Sequence, residues 1–399
     1  MYSHRAVDKF LLAVSLINGI GSGFSWAILA PYLRGLGVSG ALYGLLGGVS
    51  VIVSVFSTLS AGVLCDLYGS KVIAFTGLLL YSSSFLLFST KYFPLIAVGY
   101  LVLGFSRGFT STSINVLTSR SANDEILHYT FSYVRASSTL GGAIGSFLGW
   151  VPVIIAGVLD IDLVSSYGFS LLAIAPLSIM SALLALKVRE SYRLESIGVK
   201  KVLMGFRGLG RFNYIVLVGM LIGFGAAMSI HNIGYYFTVK YGVTSGELGS
   251  IFGLQQLIMA FMMAKMPAIA DKYGGPLKVY LVATYSSIPL LIAMTLTNNY
   301  VVASMFYLIR SILMNVANPL YTAFAMRLVP VDKRGVAGSL LSLSWNLPAG
   351  IGRAIGGALL DIDLEAPLRL TATLYIIGLT IIAITFKENI VESRKNTRS

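Results

Sequence analysis

Residues 62–72 read GVLCDLYGSKV, and residues 268–278 read AIADKYGGPLK. Each stretch follows an apolar run and places an aspartate, a tyrosine and a glycine in the same order and spacing. The two sets of three residues are Asp66, Tyr68 and Gly69, and Asp271, Tyr273 and Gly274. The second set follows the first by 205 residues. This recurrence predicts that one structural element is used twice in the chain.

The repetition extends over most of the chain. When the sequence is compared with itself, identical residues recur at offsets that drift only from 204 to 207. The pairs include Gly19 with Gly223, Gly37 with Gly242, Gly44 with Gly249, Ser137 with Ser344, Gly145 with Gly352, and Gly149 with Gly356. Chance identities would not stay in register over five successive apolar segments, so the chain contains two copies of one unit.

The composition indicates that these units lie in a membrane. Apolar residues make up 56% of the chain and charged residues 11%, whereas soluble domains carry roughly a quarter charged residues. A bilayer requires about 20 apolar residues per helix, with all backbone polar groups satisfied internally. Twelve such segments are predicted, at 10–33, 41–64, 71–90, 94–118, 129–157, 165–187, 213–237, 247–270, 276–296, 299–326, 336–359 and 366–386.

Each copy therefore contains six helices. Because six is even, both copies have the same orientation, as in parallel repeats related by an axis normal to the membrane. The predicted fold is an all-α integral membrane protein of twelve transmembrane helices in two parallel six-helix pseudo-repeats. Its predicted parts are an N-terminal bundle at 1–187, a linker at 188–212, a C-terminal bundle at 213–386 and a tail at 387–399.

Basic residues indicate the orientation. Twenty Lys and Arg residues fall on the side that holds both termini, four fall on the other side, and five lie within spans. Since cytoplasmic loops are enriched in Lys and Arg, both termini and the linker are predicted to be cytoplasmic. We expect a monomeric, multi-pass protein of the cell membrane, and the short loops favour a prokaryotic source.

Several classes of function are disfavoured. The net charge of +13 comes from basic residues scattered between apolar segments, so it does not predict nucleic-acid binding. Cys65 is the only cysteine, and the three histidines are far apart in sequence. An internal disulfide is therefore excluded, and we expect no metal, no cofactor and no enzymatic activity.

The loop after the second span of each copy resembles a motif of the major facilitator superfamily, Gly-x-x-x-Asp-(Arg/Lys)-x-Gly-(Arg/Lys)-(Arg/Lys). Gly62, Asp66, Gly69 and Lys71 match in the first copy, and Asp271, Lys272 and Gly274 match in the second. Leu67, Ser70 and Pro267 depart from the pattern. The resemblance covers nearly the whole chain and implies alternating access, with helices 1, 4, 7 and 10 lining a central cavity.

The two motif copies are predicted to act as conformational latches on the cytoplasmic side. Asp66 and Asp271 can accept hydrogen bonds from the unpaired N–H groups of a neighbouring helix N-terminus. Gly69 and Gly274 are expected to supply the tight turn into the next helix.

Glycines four residues apart form a stripe on two equivalent helices, comprising Gly141, Gly145 and Gly149 on helix 5, and Gly352 and Gly356 on helix 11. Such stripes allow two helix backbones to approach closely. The helix 5 stripe also resembles the antiporter motif of the family, although Ser146 stands where that motif has proline. Close packing alone is the alternative explanation.

Arginines within the spans are the main candidates for solute binding. Arg107 and Arg310 lie near the middle of two expected cavity helices, and Arg353 lies on helix 11. A guanidinium group binds an anionic group in a bidentate manner, but each arginine could instead bond carbonyls at a helix kink. Uncharged candidates, which could equally be interhelical contacts, are Asn18, Trp26, His231, Asn315 and Asn318.

These features predict a secondary active or facilitative transporter of a small polar, anionic organic solute. No carboxylate lies at mid-membrane, so proton coupling through His231, coupling through loop acids such as Asp66, and exchange against a counter-anion all remain open. The main alternative is a multidrug or amphiphile exporter of the same fold. Remote alternatives are a membrane sensor that transports nothing and a membrane-embedded enzyme.

Overall fold

A computed structural model describes residues 7–122, 126–190, 210–263, 269, 275–330 and 333–388. These ranges form fifteen α-helices and one 3₁₀ turn. The helices are α1 Lys9–Gly35, α2 Gly40–Tyr68, α3 Ser70–Ser89, α4 Phe93–Ser121, α5 Leu127–Phe147, α6 Trp150–Leu159, α7 Leu163–Ala185, α8 Phe212–Ser229, α9 Ile233–Tyr241, α10 Ser245–Met263, α11 Pro276–Leu296, α12 Tyr300–Val316, α13 Asn318–Arg327, α14 Arg334–Ile362 and α15 Ala366–Thr385.

Over the residues that the structure describes, each predicted span coincides with one helix or with two consecutive helices. Within the described residues, ten helical segments are long and apolar enough to cross a membrane. α10 and α14 occupy the positions of the eighth and eleventh predicted spans. Three spans are interrupted: α5 and α6 meet near Gly149, the 3₁₀ turn Ile230–Asn232 separates α8 from α9, and α13 begins at Asn318.

The interruption at Asn318 follows from the next residue, Pro319. Proline lacks a backbone N–H, so it removes a hydrogen bond from a helix interior and fits best in the first turn. α12 accordingly ends at Val316, and α13 begins with Pro319 in its first turn. The span predicted at 299–326 is therefore interrupted at Asn318-Pro319.

The chain forms two compact units. Unit 1 contains residues 1–39, 49–196 and 242–257, and unit 2 contains residues 40–48, 197–241 and 258–399. The first turns of α2 belong to unit 2, and most of α10 belongs to unit 1.

Unit 1 is organised around direct backbone contact between α1 and α5. A Cβ atom added at Gly145 would overlap the backbone oxygen of Ile20, and one added at Gly141 would overlap that of Leu16. Only glycine allows two helices to approach this closely. Gly149, at the end of the stripe, lies against Ala27 of α1 and the backbone of Ser245.

Unit 2 repeats this arrangement with α8 and α14. A Cβ atom at Gly352 would lie against the backbone oxygen of Phe224, and one at Gly356 would overlap that of Met228. Gly352 follows Gly145 by 207 residues and Phe224 follows Ile20 by 204, the same offsets that the sequence repeat shows. The two units therefore contain the same helix contact, as a duplicated element requires.

Glycines with positive φ stand at two equivalent turns. Gly69 has φ 86° and directly precedes α3, whereas Gly275 has φ 93° and directly precedes α11. Such angles strain any residue that has a Cβ atom. Gly274, predicted for the second turn, lies outside the described residues, as does Asp271.

Candidate functional site

Unit 1 contains a polar pocket of about 360 Å³ between α1, α3, α4 and α5. Ligand sites in proteins typically have volumes of roughly 300–1,000 Å³. Most of its lining side chains carry hydroxyl, amide or guanidinium groups. The polar lining residues are Ser15, Asn18, Ser22, Tyr81, Ser106, Arg107, Thr110, Ser111, Asn115, Arg135 and Ser138, and the apolar ones are Ile114, Phe131 and Val134.

The helices place these groups by simple periodicity. Residues three or four apart share a helix face, so Ser15, Asn18 and Ser22 line the pocket from α1. Arg107, Ser111 and Asn115 do the same from α4 at intervals of four or eight residues. The pocket is therefore built from regular helices and requires no loop.

Tyr81 on α3 connects the two faces of the pocket. Its hydroxyl lies 3.3 Å from Ser25 Oγ, and it is close enough to Arg107 to interact electrostatically. The ring has room because Gly21 faces it, since a Cβ atom there would approach the ring carbon to 2.9 Å. Gly21 thus determines the position of a pocket side chain.

The pocket is electropositive. Among the described residues, its lining contains two cations, Arg107 and Arg135, and no acidic side chain. Arg107 is half-buried and Arg135 is exposed. Guanidinium groups donate paired hydrogen bonds to carboxylates and phosphates, and the surrounding hydroxyls can bind a polar solute body. Within the described residues, no group of three His, Cys, Asp or Glu side chains could hold a metal ion.

The structure brings together only some of the predicted binding residues. Arg107 and Asn18 line the pocket, whereas Trp26 does not. The Trp26 ring, 37% exposed, packs edge-on against Phe252 with the ring centroids 6.3 Å apart. Arg135 was not among the predicted residues, although its spacing of three from Ser138 would have placed both on one face of α5.

Arg310 belongs to unit 2 and is 1% exposed. Its Nη2 donates to the Tyr375 hydroxyl at 3.0 Å, and the guanidinium lies 5.7 Å from the centre of that ring. Its Nε has no hydrogen-bond partner among the described residues. In this structure Arg310 therefore contacts an aromatic side chain, and whether it contacts solute stays a prediction.

Of the other candidates of unit 2, His231 and Asn318 lie at helix interruptions, whereas Asn315 and Arg353 lie within helices. His231 is in the 3₁₀ turn between α8 and α9, and Asn318 begins α13. Asn315 Nδ2 donates to the Ser311 carbonyl of its own helix at 2.8 Å. Arg353 on α14 is 6% exposed, and its guanidinium lies 5.4 Å from the centre of the Tyr43 ring.

The first motif copy forms an ion-pair network at the end of α2. Arg120 Nη2 lies 2.7 Å from Asp66 Oδ1, and Arg120 Nη1 lies 3.0 Å from Glu190 Oε1. The carboxylate that accepts from the first N–H groups of α3 is that of Glu190, with Ser70 N at 3.1 Å and Lys71 N at 3.4 Å. Asp66 thus pairs with an arginine here, and its latch role stays a prediction.

Glu190 is expected to make stability depend on pH. Burial alone would raise the pKa of Glu190, but hydrogen bonds from Ser70, Arg120 and two backbone N–H groups outweigh it and lower the pKa from 4.5. Because the pKa of this carboxyl is lower in the folded than in the unfolded protein, its ionisation stabilises the fold at pH values above the unfolded-state pKa. This contribution disappears as the pH falls through the folded-state pKa.

We therefore expect the parent protein to melt at a higher temperature than Glu190→Gln at pH 7. The difference should shrink as the pH falls below about 4.5. Thermal melts of both purified proteins between pH 7 and pH 3 measure this directly. A difference that does not change over that range would contradict the assignment.

Comparisons with known proteins agree with this architecture. A family model described as the Major Facilitator Superfamily matches residues 11–353 and 215–398. The chain is 24% identical to an uncharacterised MFS-type transporter of Methanocaldococcus jannaschii, over 86% of this chain and 88% of that one. It is also 24% identical to the quinolone resistance protein NorA of Staphylococcus aureus, over 92% of each.

Solved structures show the same fold. The nucleoside transporter NupG superposes with a TM-score of 0.77 at 16% identity, covering 95% of this chain and 98% of that one. An inward-facing bacterial homologue of the human lysosomal transporter Spinster gives 0.72 at 14% identity, covering 96% of each. The predicted fold class, twelve transmembrane helices in two six-helix pseudo-repeats, is confirmed. The chain belongs to the Major Facilitator Superfamily.

Proposed function

We propose that this transporter moves a small polar, anionic organic solute across the cell membrane by alternating access, and that the pocket of unit 1 binds it. The observation that carries this proposal is that Arg107 and Arg135 both line one pocket, and that the lining residues which the structure describes include no acid. Guanidinium groups donate paired hydrogen bonds to carboxylates and phosphates. An anionic solute can therefore bind to both arginines during transport. The proposal includes cytoplasmic termini, on the basis of the distribution of basic residues.

The solute can be found by its effect on stability. A ligand that binds the folded protein raises its melting temperature in proportion to the logarithm of its concentration above Kd. We expect hits from a library of organic anions and few from matched neutral or cationic compounds. The hits then serve as substrates for transport into proteoliposomes.

Transport should depend on both pocket arginines. Hydrogen bonds to charged groups contribute about 1.5–3 kcal/mol, so Arg107→Gln or Arg135→Gln should each weaken apparent affinity by roughly tenfold or more. Arg34→Gln, an exposed site at the end of α1 and outside the pocket, is the matched control and should transport normally. If both pocket variants fold and transport every identified solute like Arg34→Gln, the proposed site is wrong.

Drug export is the second candidate, because NorA, named for quinolone resistance, aligns over 92% of both chains. The pocket argues against cationic drugs, since no carboxylate among its described lining residues would attract them. We expect a strain that expresses this protein to be no more resistant to quinolones and cationic dyes than a strain that carries an empty vector. Resistance that is lost in Arg107→Gln would favour export through the same pocket.

A further inference from the structure

Unit 2 contains a close helix contact that involves the first turns of α2. Residues 40–48 of α2 lie along residues 350–361 of α14, and we call these two segments the clasp. A Cβ atom added at Gly44 would lie 2.6 Å from Gly357 Cα, and one at Gly48 would lie against the backbone oxygen of Gly350. The clasp is therefore a backbone-to-backbone contact made by glycines.

One end of the clasp is held by a carboxylate. Asp361 Oδ1 accepts from Gly40 N at 2.7 Å, and Asp361 Oδ2 accepts from Ala41 N at 2.8 Å. These N–H groups begin α2 and have no partner within the helix, and the helix dipole adds to their attraction for a negative charge. Asp361 thus joins α14 to the start of α2.

The other end of the clasp covers Arg353. The guanidinium occupies the space left by Gly47, because a Cβ atom at Gly47 would overlap Arg353 Nε. The Tyr43 ring lies 5.4 Å from the guanidinium and stacks on Tyr235, with the ring centroids 5.1 Å apart. Arg353 is 6% exposed, and its Nε has no hydrogen-bond partner among the described residues.

A second unpaired polar atom lies on a residue that contacts Arg353. Asn232 Nδ2 donates to the Arg353 carbonyl at 2.9 Å, whereas Asn232 Oδ1 has no partner in the described part of the chain. Asn232 is fully buried and closes the 3₁₀ turn between α8 and α9. Buried polar groups that lack a protein partner at one place mark strain, a site for ordered water, or a site for an ion or ligand.

The permanent charge of Arg353 favours a site for an anion. Arg cannot lose its proton in a protein, so the closed clasp buries a permanent cation without a carboxylate among the salt bridges that the described residues form. Cation–π contact with Tyr43 compensates only part of that cost. A state in which the clasp separates and an anion reaches Arg353 would satisfy the guanidinium. Anion binding would then favour the open clasp.

The equivalent contact in unit 1 is uncharged. There residues 242–257 lie against α5 and α6, and Ser146 stands at the repeat position of Arg353. Gln256 Nε2 donates to Ser146 Oγ at 3.2 Å, and Ser245 Oγ donates to the Gly149 carbonyl at 2.6 Å. Since neutral groups suffice to pack the equivalent helices, packing alone does not account for Arg353.

We propose that the clasp covers an anion-binding site at Arg353, which takes a carboxylate or phosphate oxyanion once residues 40–48 separate from α14. Binding of the oxyanion and closure of the clasp exclude each other. The site is distinct from the pocket of unit 1, so this proposal does not depend on the solute proposed for that pocket.

The test measures how often the clasp opens. Cys65, the single native thiol, is replaced by Cys65→Ser, and Leu360→Cys supplies a reporter that is covered by Gly40 and is 4% exposed as leucine. The rate of maleimide labelling is measured on the purified full chain with inorganic phosphate, acetate or chloride at equal ionic strength. We expect phosphate or acetate to accelerate labelling several-fold over chloride. Arg353→Gln should abolish this response.

Gly47→Ala and Gly62→Ala form a matched pair on α2. The added methyl group displaces the Arg353 guanidinium at Gly47 and meets nothing within 4 Å at Gly62. In the absence of an oxyanion, the Leu360→Cys reporter should label about tenfold faster when Gly47→Ala is added. The displaced guanidinium destabilises the closed clasp, so the population of the open state rises. Gly62→Ala should match the parent. Equal labelling of the two variants, a phosphate or acetate response that persists in Arg353→Gln, or no response in the parent would each overturn the proposal.

Discussion

Replacing Gly145 with leucine is expected to prevent unit 1 from folding stably. The first side-chain carbon alone would overlap the Ile20 carbonyl oxygen and lie 2.8 Å from Ile20 Cα. These are backbone atoms of a neighbouring helix, so no rotamer change relieves the overlap and α1 must move away from α5. Overpacking usually costs about 1–3 kcal/mol. A forced separation of two helices should exceed that range and remove most of a typical stability of about 5–15 kcal/mol.

Gly157→Leu is the matched control, because Gly157 on α6 is exposed and a Cβ atom there meets nothing within 4 Å. The yield of monodisperse protein after detergent extraction and the melting temperature are the measurements. Gly145→Ala should give an intermediate loss, and Gly352→Leu should be as damaging as Gly145→Leu because Gly352 meets Phe224 in the same way. If Gly145→Leu melts within a few degrees of Gly157→Leu, close backbone contact does not stabilise the bundle.

This stripe illustrates what the sequence could and could not predict. The spacing of Gly141 and Gly145 predicts a helix face that admits another backbone, because that property depends only on side-chain size along one helix. It does not identify the neighbouring helix. In the structure the neighbour of Gly141 and Gly145 is α1 of unit 1. The choice of neighbour depends on how all the helices pack together.

For the candidate site, too, the sequence predicts one property of a residue and leaves another open. Counting along a span gives the depth of a residue in the membrane, and Arg107 and Arg310 were both predicted near the middle. Depth does not give the direction of the side chain. Arg107 lines the pocket, whereas Arg310 contacts Tyr375 in unit 2. Arg135 was not among the predicted binding residues, yet it lines the pocket beside Ser138.

Arg120→Ala is expected to destabilise the protein strongly, because it leaves two carboxylates without their shared cation. The Glu190 side chain is 6% exposed and that of Arg120 is 10% exposed, so little water would replace the lost ion pair. Removing one partner of a buried pair costs about 3–5 kcal/mol, much of it from the charge left unpaired. The same change should loosen Asp66, whose Oδ1 bonds Arg120 at 2.7 Å.

Arg369→Ala is the comparison that isolates the effect of burial on the stability contributed by an ion pair. Arg369 also contacts two carboxylates, Asp363 and Glu365, but its side chain is 55% exposed, and exposed pairs contribute about 0–1 kcal/mol. Thermal melts should therefore separate the two variants clearly. Adding Glu190→Gln to Arg120→Ala should recover part of the lost stability, since a neutral amide does not leave a buried charge unpaired. Equal melting temperatures for Arg120→Ala and Arg369→Ala would mean that the network at the end of α2 does not stabilise the fold, and its role would then have to be sought in transport rates instead.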